Sequence, residues 1–157
     1  MKRSTASLLL AFALQIPAAS ALAAGDPGGG SMPEPPADPV LQRVAQATSA
    51  KDWSAAQSIL RDALAREPGN ANYHNLYAYS IRKGANPDMG LVFKHYKQAL
   101  TIDPKHRGAH EYIGEAYLMV NDLPKAKEHL ARLDKLCFFP CEEYTDLRKA
   151  IADHEKR

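Results

Sequence analysis

Ala63-Leu64-Ala65-Arg66-Glu67-Pro68 and Ala99-Leu100-Thr101-Ile102-Asp103-Pro104 carry the same Ala-Leu-x-x-x-Pro ending 36 residues apart. An apolar pair closed by a proline reads as the last turns of a helix and the break after it. Proline has no amide hydrogen to donate, and its ring clashes with a preceding helical turn. An ending reused at this period means that one structural unit is reused. Counting on from each proline places Ala78 and Gly114, then Ile81 and Tyr117, at matching positions of the following helices. A small residue at such a place lets two helices approach closely.

The breaks around this repeat predict seven helices, at about 38–49, 52–66, 71–83, 87–102, 106–120, 122–136 and 141–156. Apolar residues recur within them at helical spacing. Ala56, Ile59, Leu60, Ala63 and Leu64 form one stripe, and Val92, Phe93, Tyr96, Ala99 and Leu100 another. Asn86-Pro87 sets a capping side chain before a proline, which predicts a helix start there. Strand-like alternation is absent from the sequence. The expected fold class is all-α, an antiparallel helix-hairpin repeat array with about three units and a C-terminal capping helix.

Upstream of the array, Met1-Lys2-Arg3 is basic, Leu8 to Ile16 is a short apolar run, and Pro17 to Ala24 is rich in small residues. That order is the layout of a secretory signal peptide, with cleavage expected near Ala21 to Ala24. No cysteine follows to carry a lipid. The apolar run falls short of the ~20 residues that cross a bilayer as a helix, so no membrane span is expected in the mature chain. The next stretch, GDPGGGSMPEPPADP, has almost nothing apolar to bury and reads as a flexible leader. The expected domains are residues 1–24 as signal peptide, 25–39 as Gly/Pro-rich leader and 40–157 as the helical domain. A periplasmic or secreted location follows.

The full chain has 20 Lys and Arg against 18 Asp and Glu. Loss of Lys2 and Arg3 with the signal leaves 18 of each sign. Nucleic-acid binding draws much of its affinity from basic side chains that displace counterions at phosphates, and a balanced chain with no basic block lacks that contribution. Nucleic acid is therefore set aside as a partner.

The repeat resembles the tetratricopeptide repeat family, whose unit carries small, aromatic and alanine positions along two antiparallel helices and ends in proline. Gly114, Tyr117 and Ala126 match those places in the third unit. Ala78, Ile81, Val92, Tyr96, Ala99 and Pro104 match them in the second, whose turn around Gly84-Ala85-Asn86-Pro87 is about two residues longer than usual. In the first unit only Ala56, Leu60, Ala63 and Pro68 fit, and Val40 to Ser49 lacks the small-residue signature. Leu136-Cys137-Phe138-Phe139-Pro140-Cys141-Glu142-Glu143-Tyr144 also resembles the end of small exported bacterial proteins of this repeat type, a group that implies no particular activity.

The resemblance implies a non-catalytic interaction module whose concave surface is lined by the first helix of each unit. The inward positions are then Asn72, Asn75, Tyr79, Arg82, Lys83, Glu111, Glu115, Leu118 and Met119. Asparagines can hydrogen-bond a peptide backbone, Arg82 and Lys83 can meet carboxylates, and Tyr79 and Met119 offer adaptable apolar contact. The implied partner is an unidentified protein or peptide, with self-association as the alternative use of the face. On this reading Arg82 is a surface charge, and reversing it is expected to leave the melting temperature nearly unchanged.

Other chemistry is sparse. Cys137 and Cys141 are the only cysteines, and Pro140 between them breaks the helix, so export predicts a disulfide. The rival use is a thiol-based copper or zinc carrier, for which no histidine lies in the local loop. His106 and His110 have the i, i+4 spacing of a metal pair. His74 and His110, however, occupy equivalent repeat positions, which favours a shared packing role. His95, His129 and His154 show no recurring spacing that would gather them. Glu111 and Glu115 share a helix face, and solvated surface explains them as well as catalysis does. Trp53, Phe93, Tyr96 and Tyr112 read as packing residues. No nucleophile motif or phosphate-cradling loop is present, so no cofactor and no enzymatic activity are expected.

Overall fold

A computed structural model describes residues 38–157, so the expected signal peptide and nearly all of the expected leader lie outside the described residues. Seven helices follow one another: α1 (Pro39–Ser49), α2 (Trp53–Arg66), α3 (Ala71–Arg82), α4 (Met89–Ile102), α5 (Arg107–Met119), α6 (Leu123–Leu136) and α7 (Glu142–Glu155). No strand occurs among the described residues.

The helix starts are written in polar side chains. Asp38, Asp52, Asn70, Asp88, His106 and Asp122 each accept a hydrogen bond from a backbone amide of the first turn of α1 to α6. Each such cap is worth about 1 kcal/mol, because it satisfies an amide that the helix itself leaves without a partner. The expected start of α4 at Asn86-Pro87 is displaced: α4 begins at Met89, capped by Asp88, which accepts from Leu91 N at 3.0 Å. Asp88 provides the cap, and Pro87 ends the preceding turn instead of opening the helix.

The hairpins α1/α2, α3/α4 and α5/α6 pack as antiparallel pairs, and each second helix then packs against the first helix of the next unit. The turns Lys51-Asp52 and Asn121-Asp122 close the first and third hairpins in the same way. Lys51 and Asn121 take the left-handed backbone region, with φ of 57° and 60°, just before the capping aspartate. Three buried clusters run along the array. Val44, Leu60, Ala63 and Tyr73 fill the first. Ala78, Ile81, Val92, Tyr96, Ile113 and Ala116 fill the second. Ala126, Leu133, Leu147 and Ile151 fill the third. The repeated alanines Ala56, Ala78, Ala99 and Ala126 are all fully buried, as their role in close helix contact requires.

Helix α5 also touches both α3 and α7 directly, whereas α2, α4 and α6 do not pack together in this way. The first helices are therefore the inner layer of a curved array, and the second helices are splayed on the outside. Pro68, Pro104 and Pro140 stand at the same 36-residue interval, so α7 takes the place of the first helix of a fourth unit.

Candidate functional site

The inner face is built from α3, α5 and α7. Its aromatic centre is Tyr79, whose ring meets Trp53 edge-on at 5.8 Å and lies tilted 4.8 Å from Tyr112. Lys83, exposed at the end of α3, stands 5.9 Å from the Tyr79 ring centre. Asn72 is exposed, and its Oδ1 accepts from His106 Nε2 at 3.0 Å, His106 Nδ1 being taken by the Ala109 amide.

Arg82 is where the structure departs most from expectation. Its side chain is only 6% exposed, and Nη2 lies 2.6 Å from Glu115 Oε2. Nε donates to the Tyr96 hydroxyl at 3.2 Å, and the guanidinium stands 5.6 and 5.7 Å from the Tyr79 and Tyr112 ring centres. The Nη2 N–H does not point along the Glu115 contact, so that contact is an ion pair by distance and not an aligned hydrogen bond. Burial alone would penalise the guanidinium, and its anionic and phenolic partners outweigh that penalty. Arg82 is thus a built-in cross-link between α3, α4 and α5 and not the surface charge that was expected.

Glu111 is also not a solvated residue. It is 8% exposed, and burial, followed by the nearby Glu115, Asp146 and Glu143 carboxylates, pushes its pKa up to about 8. Asn75, one helix away, is 4% exposed, and its Oδ1 has no hydrogen-bond partner. A space of about 260 Å³ lies between Asn75, Leu76, Gly108, Glu111, Tyr112 and the α7 residues Glu142, Glu143 and Asp146. A second open space of about 500 Å³ shares Asp146 with it. It is lined by Arg82, Glu115, Leu118 and Met119 together with Lys149, Asp153, His154 and Arg157 among others. Met119 is 52% exposed there.

Seven of the nine expected inward residues, all but Asn72 and Lys83, meet around this face or beneath it. The α7 side of the face was missed, and the signal for it was Pro140, which marks the start of another first helix on the 36-residue beat.

The histidines correct a second expectation. His95 and His129 are not scattered: His74 Nδ1 lies 2.8 Å from His95 Nδ1, and His110 Nδ1 lies 2.9 Å from His129 Nδ1. His74 Nε2 and His110 Nε2 stand 2.9 and 3.1 Å from the Pro68 and Pro104 carbonyls, so each imidazole donates there and offers Nδ1 to its neighbour. The same four-part device therefore locks the second and third hairpins. His74 and His110 are 36 residues apart and His95 and His129 are 34 apart, the difference being the longer α3–α4 turn, which hid the register. His154 is gathered too, with Nε2 3.0 Å from Asn121 Oδ1.

Trp53, Phe93, Tyr96 and Tyr112 all pack against other rings, and Tyr96 is fully buried. Cys137 and Cys141 are joined by a disulfide. The loop they close presents Phe138 and Phe139, 94% and 75% exposed. Among the described residues, no three His, Cys, Asp or Glu side chains come close enough to share one metal ion.

No model of a known protein family and no curated protein matches the sequence. Among solved structures, the chain is similar to the TPR2B domain of yeast Sti1, solved as a complex with pHsp70. The TM-score is 0.66 at 14% identity, covering 74% of this chain and 94% of that one. The likeness shows a tetratricopeptide-type fold over 74% of the chain and leaves the function to the site.

Proposed function

We propose that the protein is a non-catalytic binding module of the bacterial cell envelope that holds a segment of another polypeptide on its inner face. The observation that carries this reading is the pair of open spaces along α3, α5 and α7 that share Asp146, where acidic, amide, aromatic and thioether groups stand side by side. Such a mixture suits the backbone and side chains of a peptide better than a single small molecule. The structural neighbour, a domain of the same fold complexed with pHsp70, lends support by analogy.

A buried carboxylate with a raised pKa is also a mark of catalytic sites. The residues around Glu111 include no serine, cysteine, histidine or lysine that could serve as nucleophile or proton relay, so binding is the stronger reading. The basic, apolar and small-residue order of residues 1–24 supports export.

Capture from an envelope extract tests the reading. Tyr79→Ala combined with Met119→Ala should weaken capture, while Lys97→Glu on the outer helix α4 should not. The opposite pattern would place the partner on the convex side. Protein recovered from the extracytoplasmic compartment should lack Met1, and an intact Met1 would count against export.

A further inference from the structure

Arg82 shows how this inner face holds a cation. A carboxylate (Glu115), two aromatic rings (Tyr79 and Tyr112) and a phenolic oxygen (Tyr96) surround one guanidinium. One turn earlier on α5, Glu111 stands at i−4 from Glu115 and shares its helix face. Around it are groups of the same kinds: Tyr112, Asp146, Glu143 and the Asn75 amide, framing the 260 Å³ pocket. Among the described residues, no cation lines it. The single basic contact is at the rim, where the half-exposed Arg107 meets Glu143 at 3.5 Å.

The acidic residues by themselves have an ordinary explanation in part. Glu142 and Glu143 lie in the first turn of α7, where carboxylates complement the helix dipole. That accounts for neither Glu111 nor Asn75. Glu111 lines the pocket at 8% exposure, a buried carboxylate that helix-dipole chemistry does not explain, while the Asn75 oxygen is an unpaired acceptor sealed behind it. Since no three carboxylates converge at metal-ligand distance, the set frames a larger cation.

We infer that this pocket receives an arginine side chain of the polypeptide held on the inner face, an inference that rests on the binding reading above. A guanidinium presents N–H donors in a planar fork, able to serve the Glu111 carboxylate and Asp146 together while its face lies against Tyr112. A lysine ammonium lacks the fork and the face. The volume is below the roughly 300 Å³ at which small-molecule pockets begin, and so fits one side chain better than a whole ligand. The charged groups facing Glu111 are Arg82 from α3, Glu115 from its own helix, and Glu143 and Asp146 from α7. With four carboxylates against the committed Arg82 and the rim Arg107, arginine entry favours ionised Glu111 and releases its proton near neutral pH.

The test is an NMR titration of the ¹⁵N-labelled protein with N-acetyl-arginine amide, beside N-acetyl-lysine amide and the uncharged N-acetyl-citrulline amide. The arginine amide should shift the Asn75 side-chain amide and the backbone amides of residues 108–112. It should bind about tenfold more tightly than the citrulline amide, the effect of one desolvated charge-assisted contact. Glu111→Gln and, separately, the exposed Asp146→Asn should each weaken it. Citrulline amide equal to arginine amide, or shifts confined to other surfaces, would overturn the inference. Lysine amide equal to arginine amide would overturn the guanidinium assignment. The single-residue probe keeps the two readings distinct. Capture that depends on Tyr79 and Met119 without arginine selectivity removes the inference alone; selectivity without such capture removes the assignment to a bound polypeptide.

Discussion

Leu147 of α7 occupies the space left by the missing side chain of Gly114: a Cβ added at Gly114 would lie 2.6 Å from Leu147 Cδ2 and 2.8 Å from Cδ1. Leu147 is fully buried among Ala126, Leu133 and Ile151 and has nowhere to retreat. Gly114→Leu should therefore force α5 and α7 apart at a cost of about 1–3 kcal/mol. Gly114→Ala should cost less, because alanine regains up to ~1 kcal/mol of helix propensity. Thermal melting and hydrogen exchange check this, with α7 losing protection first.

Arg82→Ala should lower stability by about 1.5–3 kcal/mol, read by urea denaturation. The value is set below that of a fully buried pair because Glu115, its partner, is 28% exposed and can be rehydrated. An unchanged midpoint would mean that the guanidinium is a surface charge after all.

The paired histidines predict acid sensitivity. Burial first, and the neighbouring His74 or His110 second, lower His95 and His129 to about 4. Their neutral forms thus stabilise the fold fully above the ordinary value of 6.5, and that contribution is lost as pH falls toward 4. Glu111 acts in the opposite sense, because its raised pKa stabilises the fold below 4.5 and the contribution is lost as pH rises through about 8. Melting temperatures from pH 4 to 9 should show His95→Gln with His129→Gln flattening the acid limb. Glu111→Gln should flatten the alkaline one.

Thiol counting under denaturing conditions should find no free thiol before reduction and two after it. The Cys137–Cys141 loop is short, so reduction should cost no more than about 2 kcal/mol by loop-closure entropy and should loosen α7 before the rest. Two free thiols in protein isolated without reductant, with stoichiometric copper or zinc, would favour the carrier reading instead.

The seven helices, their order and the hairpin repeat were legible in the sequence, since capping aspartates, proline breaks and apolar spacing act within a few residues of themselves. So was the packing role of Gly114, because a small residue repeated at one register has few other uses. The displaced start of α4 was decided just as locally, by Asp88 capping in preference to Asn86. The site was harder to read. Arg82 and Glu115 are 33 residues apart, and whether that arginine is a recognition charge or a buried cross-link depends on how closely α3 and α5 approach. Glu111 and Asn75 look like ordinary surface residues until α7 is laid across them, and the imidazoles of His95 and His129 find their partners only once hairpins of unequal turn length are superposed. Short-range chemistry set which segments are helical and that they repeat. Tertiary structure alone decided which polar groups are buried, because burial and pairing depend on the separation of helices distant in the chain, and no local pattern encodes that distance.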